Sequence, residues 1–239
     1  MTPTDLASHL PRPLRNHILF FEGMIERELR RFAESLPAGA RVLDAGAGEA
    51  RHAPLFTRQR YVAVDLAVGD TAWNYSHLDA VSDLCALPFR DRAFDAAINV
   101  VTLEHIHDPA RALREIARTM KPGARILLAV PQDWEVHQAP HDYFRYTRHG
   151  LEHLLQQAGL QPLHMAPAGG YFRLLSRRLL NGLQFFIGGW RWILFLPAAV
   201  CLAPPALLLP LFEPLDARKN FTLGYLCEAQ RLPSLPPSA

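Results

Sequence analysis

Cysteine is scarce in this 239-residue chain, and Cys85, Cys201 and Cys227 are an odd number at wide spacing without a CxxC pair. Neither a disulfide framework nor a zinc cage is suggested, and the composition suits a reducing cytoplasm. An excess of one charge is missing too, since 25 Lys and Arg stand against 23 Asp and Glu for a net charge of +2. A phosphate backbone has no general electrostatic reason to bind, so no nucleic-acid partner is expected. The run Met1 to Arg15 is polar, carries Pro3, Pro11 and Pro13, and lacks the apolar stretch of a secretory signal. The expected location is therefore cytoplasmic. Apolar residues are not lacking: at 49% of the chain against 20% charged, they suffice for one sizeable core and exclude disorder as the main state.

Leu14, Ile18, Phe21, Ile25, Leu29 and Phe32 recur at steps of three and four between Glu22, Glu26, Arg30 and Arg31. This spacing predicts an amphipathic helix ended by Pro37, an N-terminal unit over 1–37. Arg41 to Asp44 is a short apolar run stopping at the turn Ala45-Gly46-Ala47-Gly48, and Tyr61 to Asp65 repeats the design after a connection expected to hold a helix around Ala50 to Arg58. Successive units of this kind imply parallel strands. Phe94 to Asn99, a helix from about Pro109 to Met120 ending at Lys121-Pro122-Gly123, and a strand Arg125 to Val130 continue the pattern. Leu151 to Ala158 reads as a further helix closed by Gly159, and Phe221 to Cys227 as a last strand. The fold class expected is α/β, doubly wound, with a core over 38–182, an apolar hairpin over 183–212, the last strand within 213–232 and a disordered tail over 233–239.

Ligands of open α/β sheets collect outside the carboxyl ends of the strands, where this chain places glycine turns and acids. Gly46 and Gly48 let the backbone pass close to a ligand, Asp44 is placed to accept from a cationic or hydroxyl group, and Asp65 from two ribose hydroxyls. A nicotinamide site would want Gly or Ala at the sixth position of GxGxxG, where this chain has Arg51.

VLDAGAGEA, VDL, DLCALPFRDRAFDAA, LEHIHDP and KPGARILLAVP follow in order over about Arg41 to Leu160. In this combination the chain resembles the class I S-adenosylmethionine-dependent methyltransferases of the small-molecule, type 11-like kind. The resemblance implies a Rossmann-like sheet of seven strands, six parallel and one antiparallel, and S-adenosyl-L-methionine as cofactor. It places Gly46 and Gly48 against the methionine part, Asp44 near its amino group and Asp65, followed by Leu66, at the ribose. Asp83 would meet the adenine amino group, Leu84 the ring edge, and Asn99 the floor near the reacting methyl. Where the family often has a third glycine this chain has Ala50, and only a local adjustment is expected.

The stretch 131–150 gathers His137, His141, Asp142, Tyr143, Arg145 and Tyr146, ending in Thr147. It is similar to an acceptor loop, D-[FY]-x-R-[YW]-T, of a bacterial methyltransferase subgroup, some of whose members look associated with sugar or cell-surface biosynthesis. Methyl transfer to a hydroxyl needs a base within hydrogen-bond reach, and histidine suits neutral pH. His137 and His141 are the candidates, with His105 behind them; purely structural roles are the alternative. Asp142 and Arg145, three apart, are as able to pair with each other as with an anionic substrate. His105 and His107, with Asp108, lack HExxH spacing and a Cys cluster, so no metal is expected.

Leu183 to Phe212 carries Arg191 as its only formal charge. A single crossing would leave the last strand on the wrong side of a membrane, so a hairpin broken at Pro204-Pro205 and dipping into one leaflet is expected. Arg173, Arg177, Arg178 and Arg191 would meet anionic head groups, at the inner face of the cytoplasmic membrane. Helices covering the crevice, or a dimer surface, are the soluble alternatives. The functional expectation is methyl transfer to a hydroxyl or similar nucleophile of a small or lipid-linked acceptor; a membrane-attached cofactor-binding protein without turnover is the alternative.

Overall fold

The computed structural model describes residues 17–70 and 72–233. Seven strands form one sheet, β1 (Arg41–Ala45), β2 (Arg60–Asp65), β3 (Ala80–Val81), β4 (Phe94–Val100), β5 (Met120–Pro131), β6 (Leu160–Pro167) and β7 (Gly224–Arg231), in the order β3-β2-β1-β4-β5-β7-β6. The sheet is six parallel strands and one antiparallel, β7 running against β5 from Arg125 opposite Gln230 to Pro131 opposite Gly224. Among the described residues five α-helices accompany it, α1 (Phe20–Ser35), α2 (Pro109–Thr119), α3 (Arg148–Gln157), α4 (Tyr171–Gly182) and α5 (Trp192–Leu208).

The chain divides into two compact units, one of Ile25–Ala166 with the strand from Gly224, the other of Pro167–Leu223 with the described residues up to Met24. In the sheet unit β1 and β4 are buried along nearly their whole length, as strands covered on both faces must be, and this explains why they read as continuous apolar runs. Leu43, Phe94, Leu103, Leu113, Ile116, Ile126 and Leu128 form the centre of the core. Asp108 caps α2 by accepting from Arg111 N at 3.0 Å, with Pro109 in its first turn, and Thr147 caps α3 by accepting from Gly150 N at 3.1 Å.

Several local expectations shift. The helix expected around Ala50 to Arg58 is a single 3₁₀ turn, Ala53–Leu55, because Ala50 takes a left-handed φ of 56° and Pro54 has no N–H to donate. Helix α2 passes directly into β5 at Met120, so Lys121-Pro122-Gly123 lies within the strand rather than before it. The last strand begins at Gly224, three residues beyond Phe221. Strands β3 and β6 escaped the sequence reading: one is two residues long, the other an edge strand whose Pro162 masks it. The beginning of the N-terminal helix at Leu14 and the tail over 234–239 lie outside the described residues.

In the second unit the expected break at Pro204-Pro205 is absent, and both prolines lie inside α5. The turn comes earlier, at Gly188 and Gly189, whose φ values of 102° and 56° favour glycine. Pro210 cannot donate to the Ala206 carbonyl, and Ser176 Oγ on α4 does so instead at 2.6 Å. Glu213 and Asp216 cap the N-terminus of α4, the first accepting from Gly170 N and Arg173 N, the second from Tyr171 N at 2.8 Å.

Candidate active site

Strand order reverses between β1 and β4, and the turns after these strands meet there. At Gly46 φ is +93°, and a Cβ would lie 2.2 Å from Thr102 Cγ2, so the turn admits glycine alone. Thr102 Oγ1 lies 3.0 Å from Gly46 O and 3.1 Å from Val100 O, joining the β1 turn to the end of β4. Asp65 Oδ2 accepts from Gly48 N at 2.9 Å and Oδ1 from Ala67 N at 2.8 Å. Each oxygen keeps a lone pair for an outside donor.

Asp44 is fully buried, and the Tyr61 hydroxyl donates to its Oδ2. Among the described residues its Oδ1 has no partner, and burial pushes the carboxyl up to about 7. Asn99 donates through Nδ2 to Ala45 O at 2.7 Å, while its buried Oδ1 likewise finds no partner among them. Two such acceptors at the ends of neighbouring strands call for a ligand rich in donors. Asp83 is exposed and accepts from Cys85 N at 2.8 Å; Leu84 is packed in the core, and Leu66 is exposed. Ala50 keeps the left-handed backbone that the family's glycine would adopt freely.

A second cluster forms where the loop after β5 folds onto the loop after β4. Tyr143 N and Phe144 N donate to Glu104 O at 2.9 and 3.2 Å, and the buried Tyr146 hydroxyl donates to Leu103 O at 2.8 Å. Arg145 organises the loop, reaching Asp142 with both terminal nitrogens at 2.6 and 2.8 Å, Glu135 O at 2.8 Å and Trp134 O at 3.2 Å. This fork holds the Asp142 carboxyl down at about 2 and leaves Arg145 committed to the loop.

The histidines separate in role. His105 and His137 meet edge to face with ring centroids 4.6 Å apart. His141 is exposed, bonds Tyr143 Oη at 3.1 Å, and offers its backbone carbonyl to His105 Nδ1 at 2.6 Å. Between the first two stands Glu104, which the sequence reading quoted inside LEHIHDP without a role. Its side chain is 0% exposed, neither carboxylate oxygen has a hydrogen-bond partner among the described residues, and burial pushes it up to about 8. An acid beside a histidine just past a buried strand was the available signal.

Residues 16–165 match a family described as a methyltransferase domain. A tRNA (carboxymethyluridine(34)-5-O)-methyltransferase of Arabidopsis thaliana is 32% identical over 41% of this chain and 26% of its own length. A demethylmenaquinone methyltransferase of Corynebacterium glutamicum is 34% identical over 53% of this chain and 60% of its own. The chain thus spans from about a quarter to three fifths of the length of these relatives. Among solved structures, the Burkholderia thailandensis 1,6-didemethyltoxoflavin-N1-methyltransferase with bound S-adenosylhomocysteine shares the fold at TM-score 0.54 and 18% identity, covering 93% of this chain and 92% of that one. With its sheet order, its glycine turn and a family match over more than half of its length, the chain belongs to the methyltransferase-domain family, as a class I S-adenosylmethionine-dependent methyltransferase.

Proposed function

We propose that this chain transfers a methyl group to a hydroxyl or similar nucleophile of a lipid-linked or small acceptor. The observation that carries the reading is the buried, unpartnered Asp44 Oδ1 beside a turn that only glycine can make. When bound, S-adenosylmethionine supplies a methyl group activated by a sulfonium. The rest is the work of this chain's residues. Asp44 and the Asn99 amide oxygen accept from an ammonium, Gly46 and Gly48 allow close backbone approach, and Asp65, fixed by two backbone N–H groups, accepts from ribose hydroxyls. Leu66 would meet the ribose, and Asp83 with Leu84 the adenine. Asp142, Tyr143, Arg145 and Tyr146 hold the acceptor loop in shape, and the acceptor's proton is received at the Glu104, His105 and His137 cluster. His141 positions His105 through its carbonyl.

The helical run Gly189–Leu215 is 27 residues long and apolar enough to cross a membrane, with Trp190 72%, Ile193 77% and Leu211 73% exposed. Both ends of the inserted segment continue into strands of one sheet, which favours an interfacial helix over a single crossing. Arg191 is exposed beside this face, whereas Arg173 stacks on Phe20 at 3.9 Å and Arg177 lies 3.7 Å from Glu22, so the expected set of four head-group arginines is reduced. An anionic lipid surface is the proposed partner, at the inner face of the cytoplasmic membrane, and the nearly balanced charge argues against a nucleic acid despite the tRNA enzyme among the relatives.

Purified protein incubated with methyl-labelled cofactor and an extract of the source cells should label an acceptor that partitions into the organic phase. Binding of the cofactor without any labelled product would instead favour a protein without turnover. Asp65→Ala should lose most of the cofactor's thermal stabilisation, about 2.7 kcal/mol at a hundredfold excess over Kd. The double variant Trp190→Asp, Leu211→Asp should no longer float with anionic liposomes; equal flotation would remove the membrane assignment.

A further inference from the structure

The geometry points to a divalent transition-metal site formed by Glu104, His105 and His137. Their ligand atoms all lie within 4.8 Å of one another, with Glu104 Oε1 3.7 Å from His105 Nε2 and 3.8 Å from His137 Nε2. A tetrahedral ion with bonds of about 2.1 Å needs ligand separations of roughly 3.4 Å, so closure takes only small side-chain movements. The expectation of no metal rested on missing local spacing, but the third ligand comes from a different loop.

The protonation pattern is already set for an ion. His105 Nδ1 faces the His141 carbonyl at 2.6 Å and His137 Nδ1 the Glu135 carbonyl at 3.0 Å. A carbonyl only accepts, so both Nδ1 atoms carry the proton and both Nε2 atoms present lone pairs. These pairs converge on the Glu104 carboxyl group, 0% exposed and with no hydrogen-bond partner from another described residue; the proton that burial keeps on it at neutral pH lies too far from either ring, at 3.7 and 3.8 Å, for a hydrogen bond. An ion would displace that proton and take the three lone pairs that then face one another. The backbone carbonyls behind the rings are the second layer that orients metal-bound histidines. One carboxylate and two imidazoles suit Zn²⁺, Mn²⁺ or Fe²⁺ better than Ca²⁺ or Mg²⁺, and three protein ligands leave a position open. With an ion bound the Nε2 lone pairs no longer serve as base, and the open position would instead take an oxygen of the acceptor and promote loss of its proton to solvent, a role that rests on the methyl-transfer reading; occupancy of the site does not.

The test is metal binding by the full-length protein after chelation and dialysis, with Zn²⁺ by calorimetry and Co²⁺ by its visible absorption. One ion per chain is expected, with a Co²⁺ spectrum that includes nitrogen ligation. Glu104→Gln and His137→Ala should each weaken Zn²⁺ by about tenfold or more. Glu104→Gln keeps the shape of the buried neutral side chain and removes its capacity to ionise, so it should unfold no more readily than wild type while losing the Zn²⁺-induced thermal shift. The exposed pair His149 and His153 on α3 serves as the control, and its double alanine variant should bind Zn²⁺ normally. No stoichiometric binding, or binding lost in that control and kept in Glu104→Gln, would overturn the site whether or not the protein transfers methyl groups.

Discussion

The two clusters outside the sheet are assembled by opposite means. On the cofactor side, Asp44, Gly46, Gly48 and Asp65 sit within a stretch of 22 residues at the ends of two paired strands, and the backbone itself aims them. On the acceptor side, Glu104 and His137 come from different loops, joined by Tyr143, Phe144 and Tyr146 and shaped by the Arg145 fork. Each cluster contains a buried carboxyl group, but among the described residues Asp44 has a side-chain donor in Tyr61 and Glu104 has no donor from another residue. Under the proposed reading the first would be completed by a ligand that brings an ammonium, the second by a cation. Local chain geometry thus shapes one cluster, and a clamped loop the other.

Breaking the cofactor side should cost most. Gly46→Ala drives a Cβ into Thr102 at a backbone angle that alanine disfavours. A loss on the order of 3 kcal/mol in denaturant unfolding, with cofactor binding abolished, is expected. Next in size is a pH effect on the same side. Burial holds the Asp44 carboxyl at about 7, so the folded state binds the extra proton between its unfolded pKa and that value. Stability of the free protein should fall as pH rises through this window, and affinity for S-adenosylhomocysteine should rise, by up to about 1.4 kcal/mol per pH unit below 7. Calorimetry from pH 5 to 8 measures both signs.

Breaking the acceptor side is smaller in stability and different in kind. Arg145→Met removes the fork from Asp142 and should cost about 2 kcal/mol by denaturant melting while leaving cofactor affinity unchanged; Arg145→Lys keeps charge without the fork and should recover only part. Because Arg145 holds the Asp142 carboxyl down at about 2, the clamp's contribution is present above the unfolded pKa and is lost as pH falls towards that value. The smallest effect belongs to Ala50, whose φ of 56° suits glycine. Ala50→Gly should stabilise by about 0.5 kcal/mol in thermal unfolding without altering either cluster.

The same contrast explains what was legible in the sequence. Strand ends closed by acids and a glycine turn are local signals, so β1, β2 and β4 could be read from spacing. Glu104 gained significance only once a loop more than thirty residues away had folded back beside it, and no periodicity encodes that return. The Asp142 and Arg145 pairing was readable because they lie three positions apart, but the grip of Arg145 on the Trp134 and Glu135 carbonyls was not. Pro204-Pro205 misled because proline usually breaks a helix; here both lie inside α5, and Ser176 of α4 bonds the Ala206 carbonyl that Pro210 leaves without a donor, a tertiary contact.

The division of labour between the two clusters is tested most directly by titrating S-adenosylhomocysteine into wild type, Asp65→Ala and Glu104→Gln under identical conditions. The predicted result is a loss of about tenfold or more for Asp65→Ala and a change within about twofold for Glu104→Gln. Equal losses in the two variants would contradict the separation of a cofactor side from an acceptor side.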